Sequence, residues 1–154
     1  MSRWEVWSLH ALTLVVSITG AVYFWMKYLL ETGDPLSVIN HPLQPAMLNV
    51  HILAAPCLVF VLGAIANSHI ALKWRTRSRL NRTSGRVALF SFPPMVLSGY
   101  LLQVVTQETA ARVVLVLHLA TGALFAITYL IHQLVMFRLW SKRLRRRSVH
   151  RLAP

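Results

Sequence analysis

The run VVLVLHLATGALFAITYLIHQLV, residues 113–135, decides how this chain folds. It carries no charged side chain; Arg112 stands just before it and Arg138 is the next charge. A hydrocarbon layer about 30 Å thick requires about 20 consecutive apolar residues, so the run reads as a membrane-spanning helix. Two histidines interrupt it, His118 and His132, fourteen residues apart. At about 100° and 1.5 Å per residue they lie roughly 40° apart around the helix and about 21 Å apart along it. One helix thus offers two imidazoles on nearly one face, at two depths. Ionisable side chains at such depth are rare in bilayers and point to function.

Three further runs resemble this one in composition, and hydrophobic residues make up 56% of the chain. Helices are predicted over 6–30, 47–72, 87–105 and 110–139, followed by a basic tail over 140–154. The expected fold is all-α: a single transmembrane four-helix bundle spanning residues 1–154. The net charge of +12 would suggest nucleic acid in a soluble protein, but its distribution argues otherwise. Lys73, Arg75, Arg77, Arg79, Arg82 and Arg86 fill the second connection, and seven more basic residues lie between Arg138 and Arg151. Glu31, Asp34 and Glu108 fall in the other two connections. This is the positive-inside pattern, so both termini are predicted to be cytoplasmic. The basic tail reads as a topology signal that meets anionic lipid, with no nucleic-acid partner.

Cys57 is the one cysteine, so no disulfide forms within the chain. No C-x-x-C-H sequence is present, so any haem would be held without covalent attachment. The N-terminal run is long and lacks a clear small-x-small cleavage site, and it reads as a retained helix.

The remaining histidines fall at distinct depths. His10 lies a turn inside the first helix, beyond Trp4 and Trp7, which suit the headgroup level. The connection 31–45 contains Gly33, Asp34-Pro35, His41-Pro42 and Gln44-Pro45, which exclude a continuous helix. His41 there reads as a surface histidine, or as part of the lining of a quinone or partner site. The second helix carries His51 near its outer end and His69 near its inner end. The third contains Pro93-Pro94 but no histidine, and a kink is expected there. His150 lies among arginines in the tail and reads as solvated.

A six-coordinate haem iron takes two imidazoles from different helices at one depth. His51 and His118 both lie in the outer part of helices that run the same way, and they can pair. His10, His69 and His132 compete for the inner pair. His51 and His69 are eighteen residues apart, so helices two and four supplying both pairs would leave a mismatch of about 6 Å. Pairing His10 with His132 avoids it and is preferred, with His69 as the alternative. Arg112 on the outer side, and Arg138 or Lys73 on the inner, are candidate partners for haem propionates. Gly122 would leave room beside the outer macrocycle. Each histidine also has a plainer reading, as an interhelical hydrogen bond.

One histidine on helix one, one on helix two and two fourteen apart on helix four resembles the bacterial cytochrome b561-like family of dihaem proteins, relatives of hydrogenase cytochrome b subunits. His10, His51, His118 and His132 occupy those positions, and His69 departs from the pattern. The resemblance implies two b-type haems and electron transfer in the bacterial inner membrane, between quinone and a redox partner. It also implies work as part of a larger complex or homo-oligomer. The competing expectations are a haem-free structural or assembly subunit and a small proton or metal transporter, the latter weakened by the lack of acidic residues in the membrane core.

Overall fold

The computed structural model describes residues 2–31, 37–66 and 82–152, with side chains as far as Ser141. Among these residues there are four α-helices and no strand. They are α1 (Arg3–Phe24), α2 (Gln44–Ile65), α3 (Arg82–Leu101) and α4 (Glu108–Leu152). The chain divides into two compact units, residues 1–77 and 78–154, each built on a helical hairpin.

In the first unit α1 packs against α2. A capping box starts α1: the Ser2 hydroxyl accepts from the Glu5 backbone N–H at 3.3 Å, and Ser2 N donates to the Glu5 carboxylate at 2.6 Å. This satisfies two of the donors that every helix N-terminus leaves unpaired. At its other end α1 widens into a π-helical turn, Trp25–Leu29, where Leu30 N donates to the Trp25 carbonyl at 3.0 Å. Asn40 then closes the loop, its side-chain amide donating to the Lys27 carbonyl at 3.1 Å and its backbone N–H to Gln44 Oε1 at 3.0 Å. Residues 67–81, which include His69 and Lys73, lie outside the described residues, as do the inner end of the predicted second helix and most of the basic connection.

In the second unit α3 packs against α4. Helix α3 begins at Arg82 rather than 87, so Ser84-Gly85 lies within it, and it runs through Pro93-Pro94 without interruption. It ends at Leu101 rather than 105, in a turn closed by Val105 N donating to the Leu101 carbonyl at 2.9 Å. Helix α4 continues past residue 139 to Leu152, so the basic tail is helical. That segment is rich in Leu, Lys and Arg and contains neither Gly nor Pro, so nothing in it breaks the helix.

Polarity within each hairpin is reversed relative to a water-soluble protein. Thr13, Thr19, Ser91, Ser98 and Thr128 are buried, whereas Leu53, Phe60, Phe90, Val116 and Ile127 are more than half exposed. Small and hydroxylated residues at helix contacts, with large apolar ones outside, are what membrane helices require, because lipid gives large side chains no reason to turn inward. Most of the buried hydroxyls donate to their own helix, as Thr128 does to the Leu124 carbonyl at 2.6 Å. Three segments, Arg3–Leu29, Gln44–Ile65 and Glu108–Ser141, are long and apolar enough to cross a membrane. Helix α3 falls outside that group. Its arginines, prolines and hydroxyls dilute its apolar character.

Candidate functional site

Three histidines sit in one recurring arrangement, in which a hydroxyl residue followed by glycine on the first helix of a hairpin faces a histidine on the second. Thr19-Gly20 on α1 faces His51 on α2. Ser98-Gly99 and Ser84-Gly85 on α3 face His118 and His132 on α4. Fourteen residues separate the two glycines of α3, as they do the two histidines of α4. Antiparallel helices in constant register bring both pairs together.

The arrangements at His51 and His118 match closely. His51 Nδ1 lies 3.0 Å from the Val16 carbonyl oxygen and 3.4 Å from Thr19 Oγ1. His118 Nδ1 lies 3.0 Å from the Met95 carbonyl oxygen and 3.3 Å from Ser98 Oγ. In each case the carbonyl belongs to the residue four before the glycine. A carbonyl can only accept, so Nδ1 must carry the proton, and in the neutral ring the lone pair then resides on Nε2. The hydroxyls agree with this assignment. Thr19 Oγ1 donates its proton to the Val15 carbonyl at 2.7 Å and Ser98 Oγ to the Pro94 carbonyl at 2.6 Å, which leaves their lone pairs to accept from Nδ1–H.

Close approach requires glycine at position 20 and favours it at position 99. A Cβ on Gly20 would lie 2.8 Å from Cε1 and 3.0 Å from Nδ1 of His51; on Gly99 it would lie 3.0 Å and 3.3 Å from the same atoms of His118. At Gly85 the corresponding distances to His132 are both 3.4 Å, an ordinary contact. His132 Nδ1 is 3.4 Å from Ser84 Oγ.

Between the levels of His118 and His132 lies an aromatic layer around the buried Phe125. Phe92 and Phe125 pack with ring centroids 5.4 Å apart, and Phe125 stacks on Tyr129 at 6.1 Å. In the first unit the position fourteen residues after His51 is Ile65, which is buried. The first hairpin therefore repeats the His118 arrangement of the second and not the His132 one. His10 is half-buried on α1, ten residues before Gly20, about 15 Å from the His51 level.

Arg112 is exposed and pairs with Glu108 at 2.6 Å on the same face of α4. Arg138 is exposed, six residues beyond His132. A Cβ on Gly122 would meet Met95 Cγ and Sδ at 3.9 Å, so this glycine lies over an α3 side chain. His41 has the opposite tautomer to His51: its Nδ1 accepts from the Leu43 backbone N–H at 3.1 Å, which puts the ring proton on Nε2. Its carbonyl also accepts from Gln44 N at 2.9 Å. His41 thus shapes the turn that leads into α2. His41→Ala is expected to destabilise the chain by about 1 kcal/mol, the net worth of one hydrogen bond, and leave any visible spectrum unchanged, as thermal unfolding and absorption would show. A spectral change would place His41 in the functional site.

Sequence reasoning found the histidines, and saw in Gly20 room for a neighbouring helix or a flat ligand, but did not pair the hydroxyl–glycine steps with the histidines. Their signal was available in the matching fourteen-residue intervals of α3 and α4. No family model matches the chain, and no curated protein or solved structure matches it.

Proposed function

We propose that this protein is a membrane b-type cytochrome that carries electrons across the bilayer through two bis-histidine haems, between quinone and a redox partner. The observation that carries this reading is the common setting of His51 and His118: each Nδ1 bonds a carbonyl of the neighbouring helix, so in each neutral ring the proton is on Nδ1 and the lone pair on Nε2. Axial ligation of a haem iron uses that atom in that state. A macrocycle brings four nitrogens of its own and needs only two imidazoles from the protein.

In this reading His51 and His118 hold the outer haem, and His132 holds the inner with His10. His10 is chosen because it lies seven residues from Arg3, much as His132 lies six from Arg138; His69 is the alternative. Arg112 and Arg138 are proposed to meet propionates, Arg112 by exchanging its exposed and weakly held Glu108 partner. Helix α3 is proposed as the fourth span, supported by its buried Ser91 and Ser98 and its exposed Phe90 and Leu97. The distribution of basic residues supports cytoplasmic termini in a bacterial inner membrane. The bound haems supply one-electron redox chemistry. The chain's own residues orient ligands, exclude water and set the potential.

A second reading has an observation of its own. The bonds from His51 to Val16 and from His118 to Met95 join the two helices of a hairpin, which is also how a haem-free scaffold subunit would use histidine. A reduced-minus-oxidised visible spectrum of the purified protein, with haem and protein quantified together, separates the two. A bis-histidine b-type spectrum with about two haems per chain supports the cytochrome. A folded but colourless protein from haem-replete cells overturns it in favour of the scaffold.

A further inference from the structure

We propose that Thr19 and Ser98 are positioning residues whose hydroxyls, by accepting from Nδ1–H of His51 and His118, hold the ring orientation and set the basicity of the Nε2 lone pair. This rests on the cytochrome reading and adds to it a pair of residues that tune the outer haem's reduction potential.

Each hydroxyl has one proton and faces two carbonyls of its own helix, the shorter contact being four positions back in both residues. Donation in that direction raises the electron density on the oxygen and makes it a better acceptor. Nδ1–H then stands before two acceptors, a carbonyl at 3.0 Å and a hydroxyl at 3.3–3.4 Å. Both draw the proton away from the ring. The ring gains imidazolate character, and a more basic ligand stabilises ferric over ferrous iron.

The placement of the hydroxyls supports selection for this contact over simple packing. Thr19 is 8% exposed and Ser98 is fully buried, so neither serves to meet solvent. Both precede the glycine that lets the imidazole approach. One hydroxyl is threonine and the other serine, so what the two sites share is the oxygen.

Thr19→Val, Ser98→Ala and the conservative exchanges Thr19→Ser and Ser98→Thr test this in the purified holoprotein, by redox titration followed in the visible spectrum. The hydroxyl-free variants are expected to keep haem and shift the outer couple upward by about threefold in its reduction equilibrium, or about 28 mV at 59 mV per tenfold for one electron. The conservative variants should stay at the wild-type potential. Hydroxyl-free variants that retain haem at an unchanged potential overturn the positioning role and leave the cytochrome reading intact. If Thr19→Val or Ser98→Ala loses haem, its conservative counterpart decides: haem retained at the wild-type potential supports the role, and haem lost there too overturns it. A 15N spectrum of histidine-labelled full-length chain showing Nδ1 unprotonated in His51 and His118 would also overturn it. A colourless wild-type protein defeats the cytochrome reading itself, and is recognised before any variant is made.

Discussion

Gly20→Ala and Gly99→Ala are each expected to remove the outer haem, halving the haem content, whereas Gly85→Ala keeps both haems. Two opposing effects decide each case. Alanine favours a helix over glycine by about 1 kcal/mol, so the exchange would stabilise any of these sites if nothing stood in the way. At Gly20 the new methyl would lie 2.8 Å from Cε1 and 3.0 Å from Nδ1 of His51. Such overpacking costs roughly 1–3 kcal/mol, and a ring that turns away to relieve it also forfeits its bond to Val16, worth about 1 kcal/mol net. The clash wins at Gly20. At Gly99 the corresponding distances are 3.0 Å and 3.3 Å, still too close for a ring fixed at Nδ1. At Gly85 both are 3.4 Å, which a slight shift of His132 absorbs, so the propensity gain prevails. Gly63 serves as the control, since a Cβ there meets nothing within 4 Å, and Gly63→Ala should raise the melting temperature with haem unchanged. Haem per chain and thermal unfolding measured across these four variants give the result. Full haem loading in Gly20→Ala and Gly99→Ala would show that the two imidazoles need no such approach and would count against them as ligands.

The helices were legible in the sequence because hydropathy over twenty residues is a local property, set by the thickness of the bilayer. The spacing of His118 and His132 along their helix was legible for the same reason, since axial rise is about 1.5 Å per residue. The partner of each histidine was not. Whether His118 meets Ser98-Gly99 depends on the register of α3 against α4, fixed by the length of the turn at 102–107 and by helix ends that composition places poorly. The predicted start of the third helix at 87 left Ser84-Gly85 outside it, and so hid the match between the two fourteen-residue intervals. Helix α4 overran its predicted end for a related reason. Hydropathy reports where a helix leaves the apolar layer, while the backbone beyond Leu139 continues to Leu152 because Leu, Arg and Lys sustain helix in water as well. The tautomer of His51 needed the structure outright, because it is set by the backbone carbonyl of Val16, thirty-five residues away.

His118→Ala and His132→Ala should each remove one of two haems, and the double variant should be colourless. The two rings are about 21 Å apart on one helix, too far for a single iron to meet both. The Phe92–Phe125 pair lies between their levels, so the loss of one site leaves the packing around the other in place. Substitutions separated by more than about 10 Å without shared partners act additively, which is why halves rather than all-or-none losses are expected. His51→Ala should then reproduce the spectrum of His118→Ala, since both remove the same group. On the inner side, His10→Ala should reproduce that of His132→Ala, with His69→Ala retaining both haems. The reverse outcome would transfer the inner ligation to helix two and leave the outer pair untouched. Complete loss of haem from His118→Ala alone, in a chain that still folds, would contradict two independent sites. It would require that a haem at His132 cannot be held unless the outer level is filled first.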